Sequence, residues 1–389
     1  MVAANGTNGT KADVEMGHAW PSSDNGDAKP NKKKEHLVVM VHGLFGSYKH
    51  LDAMVKAMKT RLAARDDVEI FISRKNGGVK TLDGIQKCGD RLLAELEAFL
   101  SAPNTFKTIS FVGHSMGGLI IRYAIGHKYD ADKSTIFGLV PLHFIAITTP
   151  HFGCNDAYLS DIKNEDSVTP CLRWLGQIPV VGKVPAFLFH VFESFFVWLI
   201  LRKTGDQLFL RDKKKIIEQL ASYSFKRESD KTLGEMPPPY LAALSSFRER
   251  TCYGNIRGDH VVAWENATVR RKIDLPKIKR KDAPYGIVNE EVSPRTIDHD
   301  LLSPHGDGPI THSPTMATCP KIELMIRNLE QLGWRRVDVK TKILIHKGAP
   351  WAHDNIISKN EGHDNFKVVA LHSTALLLIS MTKYEEETG

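Results

Sequence analysis

Between residues 36 and 150, short apolar runs alternate with segments whose apolar residues recur at helical spacing, and this alternation constrains the fold most strongly. The apolar runs are HLVVMV, DVEIFIS, TISFVGHS and GLVPLHFIAITTP, and the helical segments between them are LDAMVKAMKTRLAA, GIQKCGDRLLAELEAFL and MGGLIIRYAIGHKY. Strands that alternate with helices form a parallel sheet with helices on both faces. Continuous apolar strands are typical of a sheet that is covered on both sides. The sequence therefore predicts an α/β fold with a mostly parallel central sheet.

The remaining segments divide the 389 residues into a tail and one large domain. Residues 1–34 are polar and low in complexity, which predicts a disordered tail before a domain at 35–389. Within the domain, we expect a lid or cap insertion at about 155–245. Residues 274–318 are rich in Pro, Asp, His and Lys and predict a surface insertion that is partly disordered.

The pentapeptide Gly113-His114-Ser115-Met116-Gly117 joins the strand TISFV to an apolar helix. A Gly-x-Ser-x-Gly pattern alone is weak, but the strand–turn–helix setting is that of a nucleophile elbow in an α/β-hydrolase fold. The turn is tight, so Gly113 and Gly117 avoid a collision and Ser115 takes a strained backbone conformation. The sequence predicts that Ser115 is a catalytic nucleophile; the alternative is a serine that only caps a helix.

An acyl-transfer site also needs backbone N–H groups where the oxyanion forms. One is expected from Met116, directly after the nucleophile, and another from a loop that follows an earlier strand. The stretch VVMVHGLFGS supplies such a loop, so Leu44 and Met116 are the predicted donors. His42, in the same loop, is expected to hydrogen-bond the loop in place rather than to transfer protons.

A serine nucleophile needs a base, and the base needs an acid that orients it. In this fold the acid and then the base follow the serine along the chain. Asp259 lies in a turn after the strand TCYGNI and is the predicted acid, and His353, in a loop after the last predicted strand, is the predicted base. The other candidates are Glu265, Asp282 and Asp298 for the acid, and His346 and His363 for the base.

Seven segments occur in an order that resembles the eukaryotic putative serine esterase family, lipase-like α/β hydrolases of plants and fungi. They are VHGLFGS, KTLDGIQKCGDRL, FVGHSMGGLIIRYAIG, TTPHFG, TGDQLFLRD, YGNIRGDHVVAWENATVRRKIDLP and WRRVDV…AHDNII. The resemblance implies that Ser115 is the nucleophile, Asp259 the acid and His353 the base. It also implies hydrolysis of acyl esters, of the glycerolipid kind, and association with lipid droplets or internal membranes.

The stretch VPAFLFHVFESFFVWLILR, at 184–202, is too apolar to lie bare in water. It falls between the nucleophile and the predicted acid, so a lid that covers the site is one interpretation. A membrane span, an interfacial helix and a buried cap helix are the alternatives. As a lid it would supply an acyl-chain pocket or a lipid contact. The aromatic residues concerned are Phe187, Phe189, Phe192, Phe195, Phe196 and Trp198.

Composition limits the cofactors, partners and compartment. The net charge is +7, yet basic residues are not interleaved with aromatics as in a nucleic-acid site, so no nucleic-acid partner is expected. The sequence contains no zinc spacing, calcium loop or phosphate-binding loop, and the chemistry above requires no metal or other cofactor. Five cysteines without a C-x-x-C pair indicate free thiols. With no secretory signal, we expect a cytoplasmic protein that is not secreted and is peripheral on lipid droplets or membranes.

Three functions fit these observations. The first is a serine hydrolase that acts on acyl esters of lipids. The second is a soluble carboxylesterase or acyl thioesterase that prefers short acyl groups. The third is a catalytically inactive hydrolase fold that binds lipid or serves as a scaffold, against which the complete set of Ser115, Asp259 and His353 argues.

Overall fold

The computed structural model of the protein describes ten ranges of residues, which are 33–154, 201–222, 238–259, 261–279, 282–296, 320–341, 345–346, 349–350, 352–357 and 365–389. The strands are β1 (His36–Val41), β2 (Val68–Ile72), β3 (Thr108–His114), β4 (Tyr129–Asp130), β5 (Thr135–Ile136), β6 (Val140–Ile147), β7 (Glu249–Asn255), β8 (Gly286–Val292), β9 (Arg335–Lys340), β10 (Ile345–His346) and β11 (Ala349–Pro350).

Helices follow most of these strands. They are α1 (Asp52–Arg61), α2 (Ile85–Leu100), α3 (Met116–His127), α4 (Ile216–Leu220), α5 (Tyr240–Ser245), α6 (Trp264–Ala267), α7 (Pro320–Glu330), α8 (Ala352–Asn355) and α9 (Asn365–Thr388). Short 3-10 helices span Tyr48–Leu51, Gly78–Asp83 and Lys272–Asp274, and residues 201–208 are also helical. The strands and helices predicted between residues 36 and 150 are therefore present.

Within the described residues, seven strands form the central sheet in the order β2-β1-β3-β6-β7-β9-β8. All neighbours are parallel except β8, which runs antiparallel to β9. The chain passes from β1 outward to β2 and then returns to β3 on the other side of β1. Such a reversal leaves a crevice at the carboxyl ends of the strands, where α/β proteins place their ligands.

Both faces of the sheet are covered, as the continuous apolar strands predict. Along β1, Leu37, Val39 and Val41 point to one face, and Val38 and Met40 to the other. The first face packs against α2, α3 and α7, and the second against α1 and α9. Alternate side chains of a strand point to opposite faces, so an entirely buried strand needs apolar residues at every position. The predicted α/β fold is confirmed, with a sheet that is mostly parallel.

Strand β8 lies within residues 274–318, for which the sequence predicts a surface insertion that is partly disordered, and it was not predicted. Residues 286–292 of that region form the edge of the sheet, with Gly286 opposite Lys340 and Val292 opposite Arg335. The sequence GIVNEEV was overlooked because an edge strand that is mostly half-buried or exposed carries a polar pattern. The predicted tail at 1–34, apart from its last two residues, and most of the predicted lid lie outside the described residues.

Helix α9 was not predicted at its full length. Over Phe366–Thr388 it is long and apolar enough to cross a membrane by length and composition, but half of its most apolar stretch is buried inside the protein. Val369 and Leu377 pack on the sheet. The ring of His143 in β6 hydrogen-bonds Ser380 Oγ at 3.0 Å and Thr251 Oγ1 at 2.8 Å, and burial lowers the pKa of this histidine to about 3. Helix α9 is therefore a core helix that packs on the sheet, and the neutral side chain of His143 hydrogen-bonds it there.

A buried ion pair fixes β9 against the segment that follows Asp259. Asp338 in β9 accepts hydrogen bonds from Arg270 Nη1 at 2.7 Å and from Trp264 Nε1 at 2.7 Å, and both charged side chains are almost fully buried. Asn289 Nδ2 in β8 donates to the same carboxylate at 2.8 Å. Strand β8 and the loop after β7 therefore both donate hydrogen bonds to one buried carboxylate, that of Asp338.

Replacing Asp338 is expected to destabilise the fold strongly. In Asp338→Ala, Arg270 stays buried without its main counter-charge, so the free energy of unfolding should fall by about 3–5 kcal/mol. Chemical denaturation of the variant and the wild type measures the change. Asp132→Ala removes an exposed carboxylate and is the control, with almost no expected effect. A loss below about 1 kcal/mol in Asp338→Ala would contradict the account.

Candidate active site

Ser115 lies in the turn between β3 and α3, with φ 54° and ψ −130°. A left-handed φ costs a non-glycine residue about 1–3 kcal/mol and persists only where the surroundings enforce it. Here they do: the Ser115 N–H donates to Ile147 O at 2.8 Å, and α3 starts at the next residue. The backbone geometry is therefore that of a nucleophile elbow, as the motif predicts.

The glycines of the motif are required by close backbone contacts. A Cβ at Gly113 would lie 2.6 Å from Gly118 N, and one at Gly117 would lie 2.3 Å from Val41 O. A Cβ at Gly118 would lie 2.3 Å from Thr149 Oγ1. Real Cβ atoms do not approach so closely, so only glycine lets α3 begin directly against β1 and β3.

The structure brings Ser115, His353 and Asp259 together. His353 Nε2 is 2.8 Å from Ser115 Oγ, and His353 Nδ1 is 3.0 Å from Asp259 Oδ2. In the tautomer that satisfies both contacts, the serine hydroxyl donates to Nε2 and the Nδ1–H donates to the carboxylate. All three side chains are at least nine-tenths buried. Such an arrangement can serve as a nucleophile, a base and an orienting acid.

The carboxylate of Asp259 is held in its ionised form. Burial by itself raises its pKa, but His353 and the N–H groups of Val261 and Val262 outweigh burial and lower the pKa below the ordinary carboxyl range. The two N–H groups donate to Oδ1 at 3.0 and 2.9 Å. Asp259 therefore remains negative beside the imidazole at neutral pH.

The loop after β1 lies against Ser115. A Cβ at Gly43 would be 2.5 Å from Ser115 Cβ and 3.0 Å from its Oγ. The Phe45 N–H already donates to Thr81 Oγ1 at 2.9 Å. Among the residues that the structure describes, no hydrogen bond from the N–H of Leu44 or Met116 is found, and Met116 is the first residue of α3. Met116 follows Ser115 directly, and Leu44 follows Gly43, so both predicted donors are adjacent in sequence to residues at the serine and have an N–H that can serve an oxyanion.

His42 holds its loop, as the sequence indicates. Its Nδ1 hydrogen-bonds Gly43 O at 3.0 Å, and burial lowers the pKa of the imidazole, which keeps it neutral. A Cβ at Gly46 would meet the same Nδ1 at 2.7 Å. The buried side chain of His42 therefore stabilises the turn by its hydrogen bond, and it is not placed to exchange protons with Ser115.

Two residues that the sequence analysis did not single out position His353. His114 Nε2 donates to the backbone oxygen of His353 at 3.2 Å, and the two rings lie 5.1 Å apart. Asn255, at the end of β7, donates to Ala352 O and to Asp259 Oδ2, each at 3.2 Å. Their positions, next to the nucleophile and four residues before the acid, are the only signal in the sequence.

The other predicted residues are placed as follows. Glu265 is buried in α6, Asp282 is exposed, and Asp298 and His363 lie outside the described residues. His346 is in β10, where its side chain is not described. The possible lid residues Phe187, Phe189, Phe192, Phe195, Phe196 and Trp198 also lie outside the described part of the chain.

One group of possible metal ligands occurs among the described residues, far from Ser115. Single ligand atoms of His36, Asp67 and Glu385 lie within 4.8 Å of one another. Arg65 forms ion pairs with both carboxylates and so offsets part of their negative charge. His36 begins β1, at the opposite end of the strand from the loop that contacts Ser115. The group is best described as an ion-pair cluster that fastens the end of α9 to the sheet.

The depressed pKa of Asp259 predicts a specific pH dependence of stability. Because its pKa is lower in the folded state, the carboxylate contributes stability above its unfolded pKa of about 4, and this is lost as the pH falls through the folded pKa. The difference in unfolding free energy between wild type and Asp259→Asn should therefore be largest above about pH 4 and shrink below it.

Denaturation of both proteins across the acid range measures this difference. Asp66→Asn, which alters an exposed carboxylate, is the control and should show a small difference throughout. A difference between wild type and Asp259→Asn that stays constant as the pH falls would contradict the assignment of a stabilised carboxylate.

Comparison with known proteins agrees with this geometry. Residues 31–164 match the family model described as Putative serine esterase (DUF676). The chain is 24% identical over 273 residues to Putative lipase C4A8.10 of Schizosaccharomyces pombe, covering 65% of this chain and 30% of that protein. It is 25% identical over 293 residues to Putative lipase ROG1 of Saccharomyces cerevisiae, covering 72% of this chain and 36% of that protein. The chain thus spans about a third of the length of these relatives.

Solved structures resemble the chain more distantly. Phospholipase PlaB from Legionella pneumophila in complex with thio-NAD matches with a TM-score of 0.33 and 14% identity, over 58% of this chain and 38% of that chain. An extracellular alpha/beta-hydrolase from a Paenibacillus species matches with a TM-score of 0.30 and 11% identity, over 59% and 82%. These scores are too low to carry an argument, so the fold rests on the sheet order and the elbow. Residues 31–164, which contain the Leu44 loop and the Ser115 elbow, thus resemble the family described as Putative serine esterase (DUF676), and the sheet order and the elbow are those of an α/β-hydrolase fold.

Proposed function

We propose that this protein is a serine hydrolase that cleaves acyl esters of lipids through an acyl-enzyme intermediate. The observation that carries the proposal is the hydrogen-bonded chain from Ser115 Oγ through His353 to Asp259, with contacts of 2.8 and 3.0 Å. A serine hydroxyl at its ordinary pKa is a poor nucleophile, and an adjacent imidazole removes that barrier.

The reaction follows from the positions of these groups. His353 accepts the proton of Ser115 as the hydroxyl oxygen attacks the ester carbonyl, and Asp259 stabilises the imidazolium that forms. The N–H groups of Leu44 and Met116 donate to the oxyanion of the tetrahedral intermediate. His353 then protonates the leaving alcohol. Water, activated by the same imidazole, attacks the acyl-enzyme and releases the acid.

The lipid nature of the substrate is supported by two observations. The two relatives named above both carry the description Putative lipase. The sequence at 184–202, between the nucleophile and the acid, is strongly apolar and suits contact with acyl chains. A soluble esterase for short acyl groups would not need such an apolar segment. The acyl-chain length that the enzyme prefers therefore separates the two functions.

Hydrolysis of p-nitrophenyl esters from acetate to palmitate tests the chemistry and the substrate together. Wild-type activity should rise with chain length, and Ser115→Ala should lose about 10⁴- to 10⁶-fold in kcat. Ser101→Ala, at an exposed serine after α2, is the control and should match wild type. Equal rates in wild type and Ser115→Ala would contradict the mechanism, and activity confined to short esters would contradict the lipid assignment.

The contact between Gly43 and Ser115 gives a second test. In Gly43→Ala the added methyl group collides with Ser115 Cβ and displaces the loop that carries the Leu44 N–H. Loss of one oxyanion donor costs about 10²- to 10³-fold in kcat. We therefore expect such a loss with little change in KM, measured with the ester that wild type prefers.

Gly77→Ala is the matched control for this variant. Gly77 has φ −63°, and an added Cβ would meet nothing closer than Arg74 O at 4.0 Å, so its activity should equal that of wild type. Wild-type kcat in Gly43→Ala would show that the loop does not serve the oxyanion.

A further inference from the structure

The excess positive charge of the chain is concentrated on two segments near the oxyanion loop. Residues 74–87 and 201–215 together contain ten lysines and arginines against three aspartates. This excess of seven equals the net charge of +7 of the whole chain, so the rest of the chain is balanced. All ten basic side chains are exposed, whereas the three aspartates are half-buried. The charge therefore faces solvent and is localised.

The two segments are in direct contact. Thr204 Oγ1 accepts a hydrogen bond from Gly84 N at 2.9 Å and donates to Thr81 O at 2.7 Å. Gln207 Oε1 accepts from Ile85 N at 2.6 Å. The helical residues 201–208 therefore lie along residues 81–85, and the basic side chains of both segments belong to one surface.

This surface continues into the loop beside Ser115. The N–H of Gly78 donates to Gly46 O at 2.8 Å, and the N–H of Phe45 donates to Thr81 Oγ1 at 2.9 Å. The loop that contains Leu44 is thus held by the same segment that carries the basic residues. Any large partner that covers the basic surface also lies next to the nucleophile.

Two apolar side chains are exposed on the same surface. Phe45 is 38% exposed at a backbone φ of 52°, and Val79 is 66% exposed. We call the combined surface the basic rim and define it by Phe45, Val79, Lys80, Lys87, Arg202 and Lys203. Exposed apolar side chains among lysines and arginines are typical of proteins that lie on a charged membrane surface.

Asp83, which lies between Lys80 and Lys87 in the chain, does not cancel the charge of the rim. Asp83 forms an ion pair with Arg91, and this hydrogen bond lowers the pKa of the carboxyl group. Lys87 and Arg202 also lie close enough to stabilise the carboxylate. Because Arg91 already satisfies Asp83, the four basic residues of the rim remain available to an external anion.

We propose that the basic rim binds the surface of a membrane that contains anionic phospholipids, and so places Ser115 at the lipid–water interface. The charge suits phosphate-bearing head groups, and Phe45 and Val79 suit the acyl boundary beneath them. An acidic protein or RNA would complement the charge but gives no reason for the exposed apolar pair. The consequence for catalysis rests on the proposed function, whereas binding to vesicles does not.

Vesicle sedimentation tests the proposal with full-length Ser115→Ala protein, in which binding is separated from hydrolysis. Vesicles of phosphatidylcholine alone are compared with vesicles that contain about 30% phosphatidylserine, near physiological ionic strength and at about 0.5 M salt. We expect binding to the anionic vesicles, weak binding to the neutral ones, and a loss of binding at high salt.

A variant with Lys80→Gln, Lys87→Gln, Arg202→Gln and Lys203→Gln should bind the anionic vesicles at least about 50-fold more weakly, since each basic residue near such a surface strengthens binding several-fold. The matched control changes four exposed basic residues elsewhere, Lys56, Lys59, Arg61 and Lys133, to Gln and loses the same charge. It should bind about as tightly as the parent protein. Thermal melting checks that both variants are folded.

Three outcomes would overturn the proposal. The first is an equal loss of binding in the rim variant and the control, and the second is equal binding to neutral and anionic vesicles. The third is a protein that binds polyglutamate or RNA but neither kind of vesicle. Failure of the proposed function is seen separately, as the absence of ester hydrolysis by wild-type protein. In a protein with Ser115 intact, the rim variant should hydrolyse soluble p-nitrophenyl acetate at the wild-type rate but hydrolyse esters in anionic vesicles more slowly.

Discussion

The strained turn at Ser115 is the constraint on which the site depends. The serine keeps φ 54° because β3 ends directly beneath it and α3 begins directly after it. Gly117 and Gly43 then allow the backbone of β1 and its loop to approach within contact distance. A conformation that costs about 1–3 kcal/mol is thereby stabilised by the packing of a sheet and a helix that are almost completely buried. The same packing that strains the serine brings the loop after β1 to its side.

The parallel sheet explains why residues far apart in the chain meet at this turn. Ser115 follows β3, Asp259 follows β7, and His353 follows β9, and the carboxyl ends of these strands lie on one edge of the sheet. The histidine lies on a short helix, so its position is set by tertiary contacts. His114 holds the carbonyl of His353 and Asn255 holds that of Ala352. Because Asn255 also contacts Asp259, one side chain aligns Asp259 with the segment that carries His353.

Much of the fold and the site could be predicted because the signals are local. The strands up to β6 are continuous apolar runs, and Ser115 lies in a motif whose spacing reflects backbone contact. By contrast, β8 is an edge strand with a mixed pattern, and its pairing with β9 depends on Asp338 and Arg270, which no local pattern connects. The roles of His114 and Asn255 depend on which carbonyls come near them in the folded chain. The basic rim arises in the same way, because hydrogen bonds through Thr204 join two segments that are more than a hundred residues apart in sequence.

Covalent trapping tests most directly whether Ser115 is the nucleophile. Wild-type protein is treated with a fluorophosphonate, digested and mapped by mass spectrometry. The imidazole of His353, at 2.8 Å, activates one serine hydroxyl, so a single adduct is expected on the peptide that contains Gly113-His114-Ser115-Met116-Gly117. An adduct on a different serine, or a protein that hydrolyses esters without forming any adduct at Ser115, would contradict the account.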